Sequence, residues 1–163
     1  MDTLARLVAI EEIKQLKARY FRHMDQRDWK AMAQVFCRDA RFDCSEGFGA
    51  VPLGDSWTGE MGPVVQGRDA IMAWIEKSFA NSTSVHHGHC HEITLDSQTE
   101  AHGTIAMEDY IRGADRSTPL VHAAGHYVER YRLEEGAWRI AATKLTRLFV
   151  DRWPGGDKLG SLS

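Results

Sequence analysis

The chain has 163 residues, 43% of them hydrophobic and 26% charged, with a formal net charge of −3, figures that fit one globular domain with a core of ordinary size. No block of lysine or arginine supplies the electrostatic footprint of a nucleic-acid or anionic-membrane partner. No apolar run approaches the ~20 residues of a membrane span, and the early acids of MDTLARLVAIEEIKQLKARY do not suit a secretory signal, so a soluble cytoplasmic protein is expected.

The first element is a helix from Leu4 to about Met24, where Leu7, Ile10, Ile13, Leu16, Tyr20 and Met24 recur at spacings of three and four. Asp2 and Thr3 are candidate N-caps, and Asp28 can cap a second short helix in DWKAMAQVF. The alternation of ARFDC follows as a strand. Residues 45–67 concentrate glycine and proline and read as a long loop, the kind that is usually functional or mobile. GRDAIMAWIEKSFAN is a third helix, with Ile71, Trp74, Ile75 and Phe79 on one face. Four strands, 84–96, 101–113, 120–134 and 137–152, then follow with short turns, the pattern of an antiparallel meander. The expected fold is α+β, with helices over one face of a strongly bent sheet and a pocket between them. Residues 1–153 form a single domain in this reading, and residues 154–163 a loosely ordered tail. Cys37, Cys44 and Cys90 have no CxxC spacing and are expected as reduced thiols in or near the core.

Strand parity picks out residues that packing alone does not ask for. Asp109 falls in register with Ile105, Met107 and Ile111, and Arg147 with Leu145 and Phe149. A buried charge costs several kcal/mol unless partnered, so the two are candidates for one ion pair, either structural or functional. In SVHHGHCHEI, four of the eight histidines fall within six positions. Alternation puts His86, Gly88, Cys90, Glu92 and Thr94 on one face and Val85, His87, His89, His91, Ile93 and Leu95 on the other. Unless both faces are covered, a bulge at Gly88 must break the register. His87, His89 and His91 could converge on a metal, but zinc or iron sites usually add a carboxylate or a distant ligand, so no metal is expected. One catalytic histidine with packed or surface neighbours is the preferred reading. By themselves Tyr20 reads as a core tyrosine and Asp25 as a turn former at the end of its helix.

The helix IEEIKQLKARYFRHMDQRDW, the strand SVHHGHCHEITLDSQTEAHG, MEDYI and GAWRIAATKLTRL occur in an order that resembles the SnoaL-like branch of the nuclear-transport-factor-2-like superfamily, over most of residues 9–152. Within it the resemblance is greatest to bile-acid 7-alpha-dehydratase, and looser to scytalone dehydratase and lindane dehydrochlorinase. The resemblance implies a cone-shaped α+β fold, a curved sheet wrapped on N-terminal helices around an apolar pocket. It places the dehydratase active-site positions on Tyr20, Asp25, His86, Asp109 and Arg147, each of the expected residue type. Cys90 and His91 depart from it, standing where a threonine and a proline are expected, as does the long 45–67 loop. The implied activity is a cofactor-free elimination on a hydrophobic, ringed hydroxy-carbonyl compound such as a steroid or polyketide. Alternatives are an isomerase or cyclase with the same dyad, or a noncatalytic scaffold like the small β-subunit of aromatic-ring-hydroxylating dioxygenases. The resemblance also implies a homo-oligomer, dimer or trimer.

Overall fold

The computed structural model describes residues 2–47 and 62–154. Most of the 45–67 loop and nearly all of the tail expected at 154–163 therefore lie outside the described residues. Helix α1 spans Thr3–Gln26, its first turn capped by the Asp2 carboxylate, which accepts from the Ala5 N–H at 2.7 Å. Its buried stripe is Ala9, Ile13, Leu16, Tyr20, Phe21 and Met24, together with a lysine, Lys17. Arg27, in the left-handed region, ends the helix, and Asp28 caps the short α2, Trp29–Ala33.

Strand β1 (Phe36–Asp43) follows, then β2 (Val64–Gln66), helix α3 (Arg68–Phe79), and the long strands β3 (Ser82–Leu95), β4 (Glu100–Gly113), β5 (Pro119–Glu134) and β6 (Ala137–Arg152). The last three residues before Gly67, expected as loop, are thus a short strand pairing with β1. The sheet order is β2-β1-β6-β5-β4-β3. β3 to β6 form the expected antiparallel meander, and β1 joins it parallel to β6. Glu135 and Gly136, both at positive φ, make the tight turn between β5 and β6. The result is an α+β cone of the nuclear-transport-factor-2-like type, with one face of the curved, unclosed sheet laid on the helices.

Irregularities in the ladders decide which side chains enter the interior. Between His89 and Glu92, β3 carries one residue more than its partner β4, and Cys90 has φ 45°. The bulge therefore lies at Cys90 and His91, not at Gly88. It turns His91, Ile93 and Leu95 to the same side as His86 and leaves Cys90 exposed, correcting its expected place near the core; Cys37 and Cys44 are buried. Gly88 has a different task. A Cβ there would lie 2.3 Å from the Phe21 ring of α1, so the glycine lets that helix settle onto β3. A second bulge, at Leu148, separates Arg147 from Phe149, and Phe149 consequently packs on the outer face against His122 instead of sharing the face of Arg147. At Gly125, opposite Arg147, a Cβ would stand 1.9 Å from the Thr146 carbonyl oxygen, an approach that excludes any side chain.

Candidate active site

Asp25 stands in the last turn of α1 and His86 in the middle of β3, and the docking of the helix on that strand brings them together. His86 Nδ1 lies 2.7 Å from Asp25 Oδ1, the His86 backbone N–H donates to Oδ2 at 2.9 Å, and the Ser84 hydroxyl donates to Oδ1 at 3.0 Å. Three donors thus converge on one carboxylate. The arrangement selects the tautomer with its proton on Nδ1 and leaves the Nε2 lone pair free. His86 is 6% exposed and its ring lies 5.9 Å from that of Phe79. On its other side Asp25 borders a cleft of about 350 Å³ lined by Arg27, Thr83, Ala114 and Arg116.

Asp109, on β4, pairs directly across from His86. Its Oδ2 accepts from Arg147 at 2.7 Å, while its buried Oδ1 has no hydrogen-bond partner among the described residues. Arg147 reaches it over the small residues Ala123 and Gly125 of β5, with its Nε donating to the Gly47 carbonyl at 2.9 Å. Both side chains of this pair are nearly inaccessible.

Tyr20 is buried, in edge contact with Phe21, Phe36 and Tyr127. It is linked to Asp109 and Arg147 electrostatically through Tyr127 of β5. The phenols of Tyr20 and Tyr127 are both pushed well up, first by burial; Tyr127 then raises Tyr20, whereas Tyr127 is raised next by the Asp109 charge and partly eased by Arg147 and by Tyr20. Sequence reasoning passed over Tyr127, which reads as one more apolar position in a strand.

It also passed over a second buried pair. Lys17 Nζ lies 2.6 Å from Glu129 Oε1, both side chains fully buried. Glu129 also accepts from the Thr143 hydroxyl at 2.9 Å and the Tyr131 hydroxyl at 2.7 Å. The signal was present. Glu129 shares a face with Tyr127 and Tyr131 as Asp109 does with its apolar neighbours, and Lys17 lies four residues after Ile13 on the helix stripe.

The remaining histidines separate. His87 and His89 are exposed on the outer face, while His91 turns inward, its Nε2 buried without a partner among the described residues. Burial, followed by the Lys17 charge, holds its pKa below the usual histidine value. The three therefore do not converge. Among the described residues no group of three or more His, Cys, Asp or Glu side chains is placed to hold a metal ion, and no helix is long and apolar enough to cross a membrane.

The SnoaL-like domain family matches residues 5–144. Among solved structures, the chain is similar to a putative scytalone dehydratase from Novosphingobium aromaticivorans, at 20% identity and a TM-score of 0.76, covering 93% of this chain and 92% of that one. It is also similar to a type 2 hexachlorocyclohexane dehydrochlorinase, LinA, at 15% identity and a TM-score of 0.74, covering 94% and 95%. ActVI-ORFA from Streptomyces coelicolor aligns at 15% identity and a TM-score of 0.66, covering 85% and 96%.

Proposed function

This chain belongs to the SnoaL-like domain family, and on that premise we propose that it is a cofactor-free lyase, a dehydratase acting on a hydrophobic, ringed hydroxy-carbonyl compound such as a steroid or polyketide, in the manner of bile-acid 7-alpha-dehydratase. The observation that carries the proposal is the His86–Asp25 dyad, in which both carboxylate oxygens are committed to His86 and its strand. Nε2 of His86 takes the proton from the carbon beside the carbonyl. Asp25 stabilises the resulting imidazolium. The C–O bond to the leaving hydroxyl then breaks, the electron pair left by the proton forms the double bond, and the imidazolium returns its proton to the departing oxygen as water. Tyr20 donates to the carbonyl or to the leaving oxygen. Arg147 and Asp109 position the polar end of the substrate.

An isomerase or cyclase reading uses the same dyad. It is favoured by one feature, the Asp109 Oδ1 directly across from His86, without a partner among the described residues, which offers a second carboxylate to take the proton from the His86 imidazolium and pass it to a different carbon. A noncatalytic scaffold would have no use for two interior ion pairs meeting on neighbouring strands. The protein is proposed to act as a homo-oligomer, dimer or trimer, without a bound cofactor.

The test is a panel of ringed β-hydroxy ketones, free and as coenzyme A thioesters, with enone absorbance as the readout. His86→Ala is expected to melt cooperatively and to lose turnover. Retained turnover in that variant removes the dyad from the mechanism, and retained assembly with an oxygenase partner in its absence favours the scaffold.

A further inference from the structure

The Lys17–Glu129 pair lies outside the five residues above, yet it touches one of them. The Lys17 ammonium sits 3.8 Å from the ring centroid of Tyr20, 3.6 Å from that of Tyr127 and 5.1 Å from that of Phe21. It is therefore held between two phenol faces and one carboxylate, with no exposure to water. Two charges buried this way cost more to desolvate than a pair of apolar side chains of the same volume. A cation against ring faces is attracted by their quadrupoles and fixes the rings it touches. Glu129 in turn is fixed by three donors, from Lys17 on α1, Tyr131 on its own strand and Thr143 on β6. The two phenols are thereby tied to a frame that spans helix and sheet.

We propose that Lys17 is a positioning residue, anchored by Glu129, that holds the rings of Tyr20 and Tyr127 against each other so that the Tyr20 hydroxyl faces the reacting oxygen. The inference rests on the reading of Tyr20 as a proton or hydrogen-bond donor in the elimination. Lys17 touches no substrate. Its effect passes through the phenols alone, so it disappears when the Tyr20 hydroxyl is absent.

The experiment uses the full chain and nitrobenzisoxazole, a ringed probe whose elimination needs one base and is assisted by a hydrogen-bond donor at the leaving oxygen. The base takes the ring C–H proton, the N–O bond breaks, and a cyano-nitrophenolate forms that is followed by its absorbance. Lys17→Met alone leaves the Glu129 charge buried and unpaired, so the neutral variant Lys17→Met/Glu129→Gln is made as well, in which the amide oxygen can still accept from Thr143 and the NH₂ can donate to the Tyr131 hydroxyl oxygen. Both are expected to lower kcat, by as much as about 10²-fold for an ångström-scale displacement of the donor, with little change in KM. Lys17→Arg, which keeps a cation between the rings, is expected to restore much of the loss. In a Tyr20→Phe background the same changes are expected to cost nothing further. Equal losses in both backgrounds, unchanged turnover, or failure of the neutral variant to melt cooperatively would each overturn the inference and leave the dyad mechanism standing. If Tyr20→Phe itself leaves His86-dependent turnover unchanged, the donor role of Tyr20 falls and the inference falls with it. Absence of any His86-dependent turnover in the wild type removes the base as well.

Discussion

His86 meets Asp25 twice, once through its ring and once through its own backbone N–H, so that a single carboxylate fixes both the imidazole and the strand that carries it. Asn at position 25 would keep the volume, but its one acceptor oxygen cannot serve Ser84 Oγ, His86 Nδ1 and the His86 N–H, and its NH₂ would face a donor. For Asp25→Asn the expected loss in kcat is roughly 10²–10⁴-fold, with a small change in melting temperature. Near-normal turnover would reduce Asp25 to a structural cap on β3.

Among the described residues, Arg147 supplies the one hydrogen bond that the Asp109 carboxylate receives. Arg147→Met strands a buried carboxylate, and the expected cost is about 3–5 kcal/mol in denaturant unfolding. Adding Asp109→Asn to it should return much of that loss, because a neutral amide is cheaper to bury. A cost below about 1 kcal/mol for the single variant would show that water already reaches the pair.

The inward turn of His91 makes stability sensitive to acid. Its folded pKa lies below the unfolded value of 6.5 because of burial first and Lys17 second. The unfolded chain therefore binds the proton more readily, and stability present above pH 6.5 is lost as the pH falls from there through the folded pKa. His91→Gln should flatten that part of the curve in melting experiments across mildly acidic buffers. An unchanged acid limb in the variant would assign the effect to other groups.

Gly125→Ala is the smallest change expected to disturb the sheet beneath the site. The added methyl meets the Thr146 carbonyl at 1.9 Å, so backbone must move, at a cost of about 1–3 kcal/mol or more. Because Arg147 faces Gly125 across the ladder, the variant should lose turnover beyond what its stability explains. Unchanged activity in the folded fraction would mean that Arg147 tolerates the shift.

The outer face of the sheet carries Val85, Tyr110, Leu148 and Phe149, all exposed. If the protein assembles as a dimer or trimer, this is the face expected to be covered, and Phe149→Asp should shift the mass measured by light scattering toward the monomer. A monomeric wild type, or an assembly indifferent to Phe149→Asp, would contradict this.

Helix periodicity and strand alternation were enough to place three helices and the four-strand meander, and the same alternation singled out Asp109 before any contact was known. The approach of Asp25 to His86 was not legible from spacing, since it depends on how α1 docks on β3, with Phe21 settling where Gly88 has no side chain. Resemblance supplied that pairing. The faces of His91 and Phe149 were misread for one reason, because each lies beyond an extra residue that no residue type announces. Lys17 and Glu129 were readable by the argument that found Asp109, and were passed over because long charged side chains on helices and strands usually reach solvent.

The extra residue at Cys90 also limits how this strand can change. A one-residue shift of register moves every following side chain to the opposite face, so the segment before Cys90 and the segment after it are out of phase by half a repeat, and only the insertion reconciles them. Deleting Cys90 would give β3 a regular ladder and still break the protein. Either His86 would leave the interior or Ile93 and Leu95 would. Single-residue insertions and deletions near this point therefore act on the dyad and on the core at once, whereas ordinary substitutions at the exposed Cys90 side chain touch neither.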